Sequence, residues 1–333
     1  MTTLLENLVE EKEGTNVRVK LFTHTDLDGI GCAVMGKAAF GADNCDPVYC
    51  NYKDVDEKIR DFLMSPEYDN FDVAFITDIS VGPELAAMIN SSFADRVQLL
   101  DHHNTALWLN DYSWAYVSQT EDPLPGVNDG RKTRLASGTS LFFGYLYSNG
   151  FLKDTSLVEF AEFVRMYDSW EWHDVYNETT ANQLNILFGQ IGRYKFVDRF
   201  VSKSEVIFTK SERDMIEAEQ FRIERYIKGK MNTVFPLDIA EHKAGVVYAE
   251  QYHSELGNAL SIAYPEYDFI AMINFGTMSV SYRSAHEGID IGADIAKLYG
   301  GGGHPKSAGS PINQLYAEAF AKIMFKSPTT GNN

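Results

Sequence analysis

Along the N-terminal third of the chain, short apolar blocks each end in polar residues. Residues 17–23 (VRVKLFT) alternate and are rich in β-branched and aromatic side chains, which predicts a first strand. Residues 47–52, 71–76 (FDVAFI) and 96–100 predict three more strands. Between them, residues 30–40, 57–64 and 83–91 read as helices. The first of these helices is built from small apolar residues, including Gly31, Ala33, Gly36, Ala38 and Ala39, and can pack closely on a sheet. Strands alternating with helices imply an α/β fold with a largely parallel sheet flanked by helices. Upstream, residues 4–13 pattern as a short acidic amphipathic helix.

The pattern then changes. Residues 121–134 form a loop rich in Pro, Gly and Asp that carries Arg131, Lys132 and Arg134. Such a cluster is ordinarily a solvated face, although beside an acidic site it could meet an anionic substrate. Residues 136–140 open a helix over 141–147. A further helix over 157–167 leads into Asp168 and the run SWEWH, whose two tryptophans read as packing. Residues 195–231 are highly charged with sparse apolar positions, as in a connecting helix or helix pair. Beyond them, residues 239–248, 269–275 and 277–283 read as strands and 254–264 as a helix, with a hairpin turn at Asn274-Phe275-Gly276-Thr277. A helix over 291–299, a glycine run, a helix over 314–324 and a frayed tail over 326–333 complete the chain. A length of 333 residues suits two domains. The expected division is a metal-binding α/β domain over 1–194, a helical linker over 195–231, and a smaller α/β domain with a mixed sheet over 232–333.

Asp101-His102-His103 directly follows the apolar run 97–100, and in an open α/β sheet ligands bind at the carboxyl ends of the strands. An isolated Asp-His-His would carry little. It gains weight because other segments deliver His and Asp in the same way. His24, Asp26 and Asp28 follow the first strand at i, i+2 and i+4, which on an extended segment would share one face, and Gly29 permits a sharp turn. An EF-hand loop is rejected, since its twelfth position requires a bidentate Glu and here holds Met35. A plainer reading makes Asp26 or Asp28 only a helix N-cap. Asp78 closes the strand over 71–76, and Asp168 closes a helix, with Asp174 a further candidate nearby. Four carboxylates and two imidazoles cannot converge without a cation, because packed carboxylates repel and would protonate. Oxygen-rich donors with some imidazole suit manganese foremost, or magnesium or cobalt. Six ligands suit two ions about 3.5–4 Å apart, bridged by one carboxylate and a water that becomes the nucleophile for attack on a phosphoryl group.

Composition narrows the setting. Hydrophobic residues make up 44% of the chain, and no apolar run approaches the ~18 residues of a membrane span. The N-terminus lacks the basic and apolar regions of a signal peptide. Cys32, Cys45 and Cys50 follow no zinc spacing, so a reduced, cytoplasmic setting is expected. A net charge of −18 argues against coating long nucleic acid, yet leaves room for a short anionic substrate held by a metal and a few local cations. The run Gly300 to Gly303 before His304-Pro305-Lys306 fails both the P-loop and the dinucleotide-binding patterns. It is either a flexible linker or, bracketed by helices and by His304 and Lys306, a nest of amides that cradles an anion.

Taken together, these motifs resemble the DHH phosphoesterase family. His24-x-Asp26-x-Asp28-Gly29 is similar to its first motif, Asp78 to its second, Asp101-His102-His103 to its third and Asp168 to its fourth. Ser281-Tyr282-Arg283-Ser284 with Gly301-Gly302-Gly303-His304 and Ala308-Gly309 resembles the DHH-associated domain, Ser307 standing where the family usually has alanine. The likeness spans roughly residues 17–312. Its neighbourhoods around Asp101 and Asp168 look most like the NrnB-type oligoribonuclease (nano-RNase) branch.

The resemblance implies that His24, Asp26 and Asp78 hold one metal, and that Asp28, Asp78, His102 and Asp168 hold the other, with Asp78 bridging. It implies that Asp101 orients a ligand histidine and that His103 contacts the scissile phosphate. Arg283, His304 and the amides of Gly301, Gly302 and Gly303 would receive the far end of the substrate, in a cleft between the domains. The expected activity is stepwise hydrolysis of short RNA or DNA oligonucleotides to mononucleotides by two-metal activation of water. Rivals are hydrolysis of phosphoadenosine phosphate or a cyclic dinucleotide, and, outside enzymes, a nucleotide-binding regulator. Oligomeric state stays open, a homodimer included.

Overall fold

The computed structural model describes residues 17–128, 130–286 and 288–325. The helix expected over 4–13 and the tail over 326–333 lie outside them. The chain divides into two compact units, Met1–Ile216 and Glu217–Asn333.

The first unit is organised by a parallel sheet in the order β2-β1-β3-β4-β5. Its strands are β1 (Val19–Thr23), β2 (Cys45–Tyr49), β3 (Val73–Thr77), β4 (Val97–Asp101) and β5 (Ala115–Val117). β1, β3 and β4 are buried along their whole length, which is why each reads as a near-continuous apolar run. The helices are α1 (Leu27–Phe40), α2 (Val55–Leu63), α3 (Pro83–Ser92), α4 (Gly138–Ser148), α5 (Val158–Asp168), α6 (Glu171–Asp174), α7 (Thr179–Ile191), α8 (Arg193–Ser202) and α9 (Lys210–Met231). α2 and α3 cover one face, where Ile59, Phe62, Leu85 and Ile89 pack with Phe22, Ile76 and Leu99. On the other face Phe75 meets Phe142 of α4, ring centroids 5.0 Å apart, and Phe40 of α1 at 6.1 Å.

Strand order reverses between β2-β1 and β3-β4, so the carboxyl ends of β1 and β3 form the switch point at which such sheets bind ligands. Register aligns those ends. Thr23 opposes Thr77, Thr77 opposes Leu100, and the Asp78 amide donates to Leu100 O at 3.1 Å.

β5 is absent from the sequence reading, because three residues give no alternation to detect. α7 was not anticipated either. The segment expected to link the domains is made of most of α8 and all of α9, and the division between units falls inside α9.

The second unit holds a mixed sheet, β12-β13-β11-β10-β9-β8. The strands are β8 (Phe235–Ile239), β9 (His242–Tyr248), β10 (Phe269–Asn274), β11 (Ser279–Arg283), β12 (Gly302–His304) and β13 (Ser307–Pro311). β9 and β10 are parallel and joined through α10 (His253–Ala263), whose Leu256 and Leu260 pack on Val247, Ile270 and Met272. α11 (Gln314–Met324) follows the sheet.

Three expectations are corrected here. The single strand over 239–248 is a hairpin turning at Ala240 and Glu241, both at positive φ (49° and 68°). Such a turn is normally signalled by Asn or Gly, which are missing. The helix over 291–299 is a π turn, Ile291–Ile295, followed by a 3₁₀ turn, Ala296–Tyr299. The glycine run is neither linker nor nest: Gly302 and Gly303 lie in β12, paired with Gly309 and Ala308 of β13. Gly303 has φ 145°, and a Cβ there would sit 2.6 Å from Ala308 Cα. Among the described residues, no helix is long and apolar enough to cross a membrane.

Candidate metal centre

β1 ends at Thr23 and α1 begins at Leu27, so the first motif bends instead of staying extended. His24, Asp26 and Asp28 therefore do not share one face. His24 Nδ1 lies 2.8 Å from Asp26 Oδ2, while Asp26 Oδ1 accepts the Gly29 amide at 3.1 Å as the N-cap of α1. Asp26 thus caps α1 with one oxygen and turns the other to His24.

Asp28, one residue into the helix, turns the other way. Its carboxylate accepts the amides of Gly138 (2.6 Å) and Thr139 (2.8 Å), the first turn of α4, where a negative charge is favoured. Its Oδ2 is 3.7 Å from His102 Nε2, which is also 3.3 Å from Asp78 Oδ1 and 3.5 Å from Asp168 Oδ2. A carboxylate has about four lone-pair sites, so two amide donors leave Asp28 capacity to spare.

The candidate donor atoms fall into three overlapping groups, each within 4.8 Å: His24, Asp26 and Asp78; Asp28, His102 and Asp168; and Asp78, Asp101, His102 and His103. Asp78 belongs to two of them. It is buried, sits at φ 57°, and its Oδ2 has no hydrogen-bond partner among the described residues. A strained backbone under a buried, unsatisfied carboxylate is the pattern expected of a functional position.

Burial, followed by the charges of Asp28 and Asp26, holds the Asp78 and Asp168 carboxyls well above the usual range. Asp26 goes the other way. Burial opposes its ionisation, but the His24 contact, the Gly29 amide and Asp78 together bring it to about 2. Crowded buried carboxylates with imidazole between them fit hard to borderline divalent cations, whose charge removes the repulsion.

Asp101 departs from its expected role. Its Oδ1 accepts from His103 Nδ1 at 2.7 Å and reaches His102 only at the backbone amide, at 2.8 Å. Residues 101 and 103 share one side of an extended segment, and His102 points to the other. Against burial, this carboxylate raises His103 to about 9, so its ring is a cation near neutral pH. Burial, then the neighbouring His103 charge, lowers His102, leaving it neutral as a ligand must be.

Structure also supplies members that no motif announced. The amides of Gly138 and Thr139 hold Asp28, and the hydroxyl of Tyr52 lies 3.2 Å from His103 Nε2. Small residues at 136–140 were the one available signal for the former. A Cβ on Gly138 would meet Asp78 Cβ at 2.4 Å and Cα at 2.9 Å. Gly138→Ala is therefore expected to destabilise the protein by about 1–3 kcal/mol in urea unfolding and to weaken manganese binding roughly 10–100-fold.

Two of the three cations of the basic loop are already paired: Arg134 is buried on Glu162, and Arg131 pairs with Glu171 at 2.9 Å. Asp174 is occupied by its neighbour His173 at 2.8 Å. In the second unit, Arg283 donates to Ser254 Oγ at 3.0 Å and to Tyr282 O at 2.9 Å. His304 ends β12.

Oligoribonuclease NrnB of Bacillus subtilis (strain 168) is 38% identical to this chain over 314 residues, covering 92% of the chain and 76% of the relative. The chain belongs to the oligoribonuclease NrnB family. No protein-family model matches it. Solved structures agree in fold at lower identity. The pGpG-specific phosphodiesterase PggH of Vibrio cholerae is 16% identical with a TM-score of 0.52, covering 92% of this chain and 97% of that one. RecJ of Thermus thermophilus, in complex with Mn2+, is 15% identical with a TM-score of 0.52, covering 98% of this chain and 55% of that one. The α/β architecture expected from the sequence, a parallel first sheet and a mixed second one, is the one these DHH proteins share.

Proposed function

We propose that this chain is a metal-dependent phosphodiesterase that hydrolyses short oligonucleotides to mononucleotides. The observation that carries the reading is the convergence of six candidate ligands at the switch point of the sheet, in a chain of the NrnB family. His24, Asp26 and Asp78 would hold one divalent ion, and Asp28, Asp78, His102 and Asp168 a second. Manganese is the first choice, with magnesium or cobalt as substitutes. When bound, such ions supply an activated water and neutralise charge on the phosphoryl group.

The chain's own groups do the rest. The Asp28 carboxylate is fixed by two α4 amides, and His102 is presented between three carboxylates. His103, clamped by Asp101 through Nδ1, offers a cationic Nε2 to an oxygen of the scissile phosphate, a charge-assisted contact. In the second unit, Arg283, His304 and the Gly302–Gly303 stretch of β12 would receive a non-reacting phosphate, with Gly301, whose amide is given to Ala296 O at 2.9 Å, shaping the approach. Arginine's planar fork matches phosphate oxygens.

The test is a substrate panel: labelled dinucleotide, pentanucleotide, a strand of a few dozen nucleotides, 3′-phosphoadenosine-5′-phosphate and cyclic dinucleotides, each with manganese. Rates should be highest on the dinucleotide and pentanucleotide and fall steeply on the long strand, since the net charge of −18 disfavours long anionic tracks. Equal rates on long strands would point to a RecJ-like exonuclease instead. In the same assay, Arg283→Ala should lower dinucleotide efficiency roughly 10- to 100-fold, the worth of a hydrogen bond to a charged group. It should spare manganese-dependent hydrolysis of bis(p-nitrophenyl) phosphate, which lacks a second phosphate. If both activities fell together with manganese content intact, Arg283 would belong with the reacting groups.

A further inference from the structure

Tyr52 lies in the loop after β2, outside every motif in the sequence. The residue is 59% exposed, and its hydroxyl reaches back to His103. The hydroxyl is 3.2 Å from His103 Nε2, and the ring lies 5.3 Å from the His24 ring and 6.2 Å, edge-on, from the His103 ring. Burial first, and then Asp78, Asp101, Asp26 and Asp168, hold the phenol in its neutral form. His24 and His103 both belong to the candidate centre, so the contacts of the Tyr52 ring and hydroxyl place it beside that centre.

His103 Nδ1 is committed to Asp101, so Nε2 and the phenol share a single hydrogen bond whose direction follows the protonation of the ring. The phenol keeps its own proton, which it can give to another acceptor. An incoming phosphate brings several strong acceptor oxygens to the same spot.

We propose that Tyr52 is a phosphate-positioning residue. Its hydroxyl holds His103 in place before substrate arrives, then hydrogen-bonds a non-bridging oxygen of the scissile phosphate beside His103. This rests on the phosphodiesterase reading given above. The contact involves no covalent step: the phenol keeps its proton throughout and only exchanges partners.

Tyr52→Phe tests it, because it keeps the ring against His24 and His103 and removes only the oxygen. The substrates are a dinucleotide and its two phosphorothioate diastereomers, in which sulfur, a poor acceptor, replaces one or the other non-bridging oxygen. The variant should lose about ten-fold in kcat/KM on the unmodified dinucleotide, with manganese content and melting temperature unchanged. On one diastereomer the wild type has already lost the contact, so the penalty of the variant should shrink several-fold. On the other it should persist. An undiminished rate in Tyr52→Phe, or one equal penalty on all three substrates, would overturn the proposal, the latter reducing Tyr52 to a prop for His103. A wild type inactive on the unmodified dinucleotide would instead overturn the activity on which the proposal rests.

Discussion

Asp78→Asn is expected to abolish dinucleotide hydrolysis while making the metal-free protein more stable. The loss should exceed the roughly 100-fold typical of removing a group that merely orients a metal ligand, because Asp78 belongs to two of the three donor groups. Bound manganese, measured by metal analysis, should fall with it. The stability gain has a separate cause. Without a cation, Asp78 is buried beside Asp28 and Asp26, and its Oδ2 lacks a partner among the described residues. Asparagine removes the charge, keeps the shape and tolerates the left-handed backbone at φ 57°. A gain of about 0.5–2 kcal/mol is the usual size of such relief.

The sign with pH follows from linkage. The carboxyl of folded Asp78 lies well above the unfolded value, so the folded chain holds a proton that the unfolded chain releases. Stability of chelated wild-type protein should therefore fall as pH rises from the unfolded value, about 4, through the raised folded value. Asp78→Asn lacks this proton, so its advantage should be absent near pH 4 and grow toward alkaline pH. Urea midpoints in the presence of a chelator measure it. Retained activity and manganese would remove Asp78 from the centre, and a variant less stable across the whole pH range would remove the electrostatic argument.

How much of this could be read in the chain depends on the distance over which each signal acts. β1, β3 and β4 are buried on both faces, so their apolar runs and the acidic or histidine residues that end them stand out locally. His24, Asp78 and His102 were legible for that reason. The partition of the first motif was not, since it depends on where α1 starts, and helix starts are set by a cap that also belongs to the site. Asp28 was legible as a residue, but its anchor lies 110 positions away, at the Gly138 amide. Tyr52 carried no signal at all: it is one exposed tyrosine in a loop, 51 positions from His103. The Ala240-Glu241 turn shows the reverse failure, a local structure whose usual residues are missing. Periodicity reports burial, motifs report chemistry, and neither reports contacts made by long-range backbone donors.

The second large effect is expected at a residue that no motif contains. Arg165→Met should destabilise the protein by about 3–5 kcal/mol, the cost of breaking a buried ion pair from one side. Arg165 and Arg134 have fully buried side chains (0% exposed). Arg134 holds Glu162 through two bonds of 2.5 and 2.7 Å. Arg165 reaches Glu162 at 3.4 Å, Leu135 O at 3.1 Å and Glu171, with which it makes its shortest contact. Asp168 lies between these partners, at the end of α5, one turn after Arg165 and three residues before Glu171. The chain then turns through Trp170 at φ 63°, where helices usually place glycine. The network thus clamps both sides of the turn that presents Asp168 to His102.

Removing Arg165 leaves Glu171 with Arg131, which is partly exposed, and Glu162 with Arg134 alone. At roughly 2–4 °C per kcal/mol for a unit of this size, the melting temperature should drop on the order of 10 °C. Manganese affinity should weaken about 10–100-fold, as when a ligand's supporting partner is lost. Activity should recover in part at high manganese, because Asp168 itself remains. Arg165→Lys should not restore stability, since an ammonium cannot serve two carboxylates and a carbonyl with a planar fork. A melting temperature and manganese affinity both unchanged in Arg165→Met would show that Asp168 is held by the backbone alone.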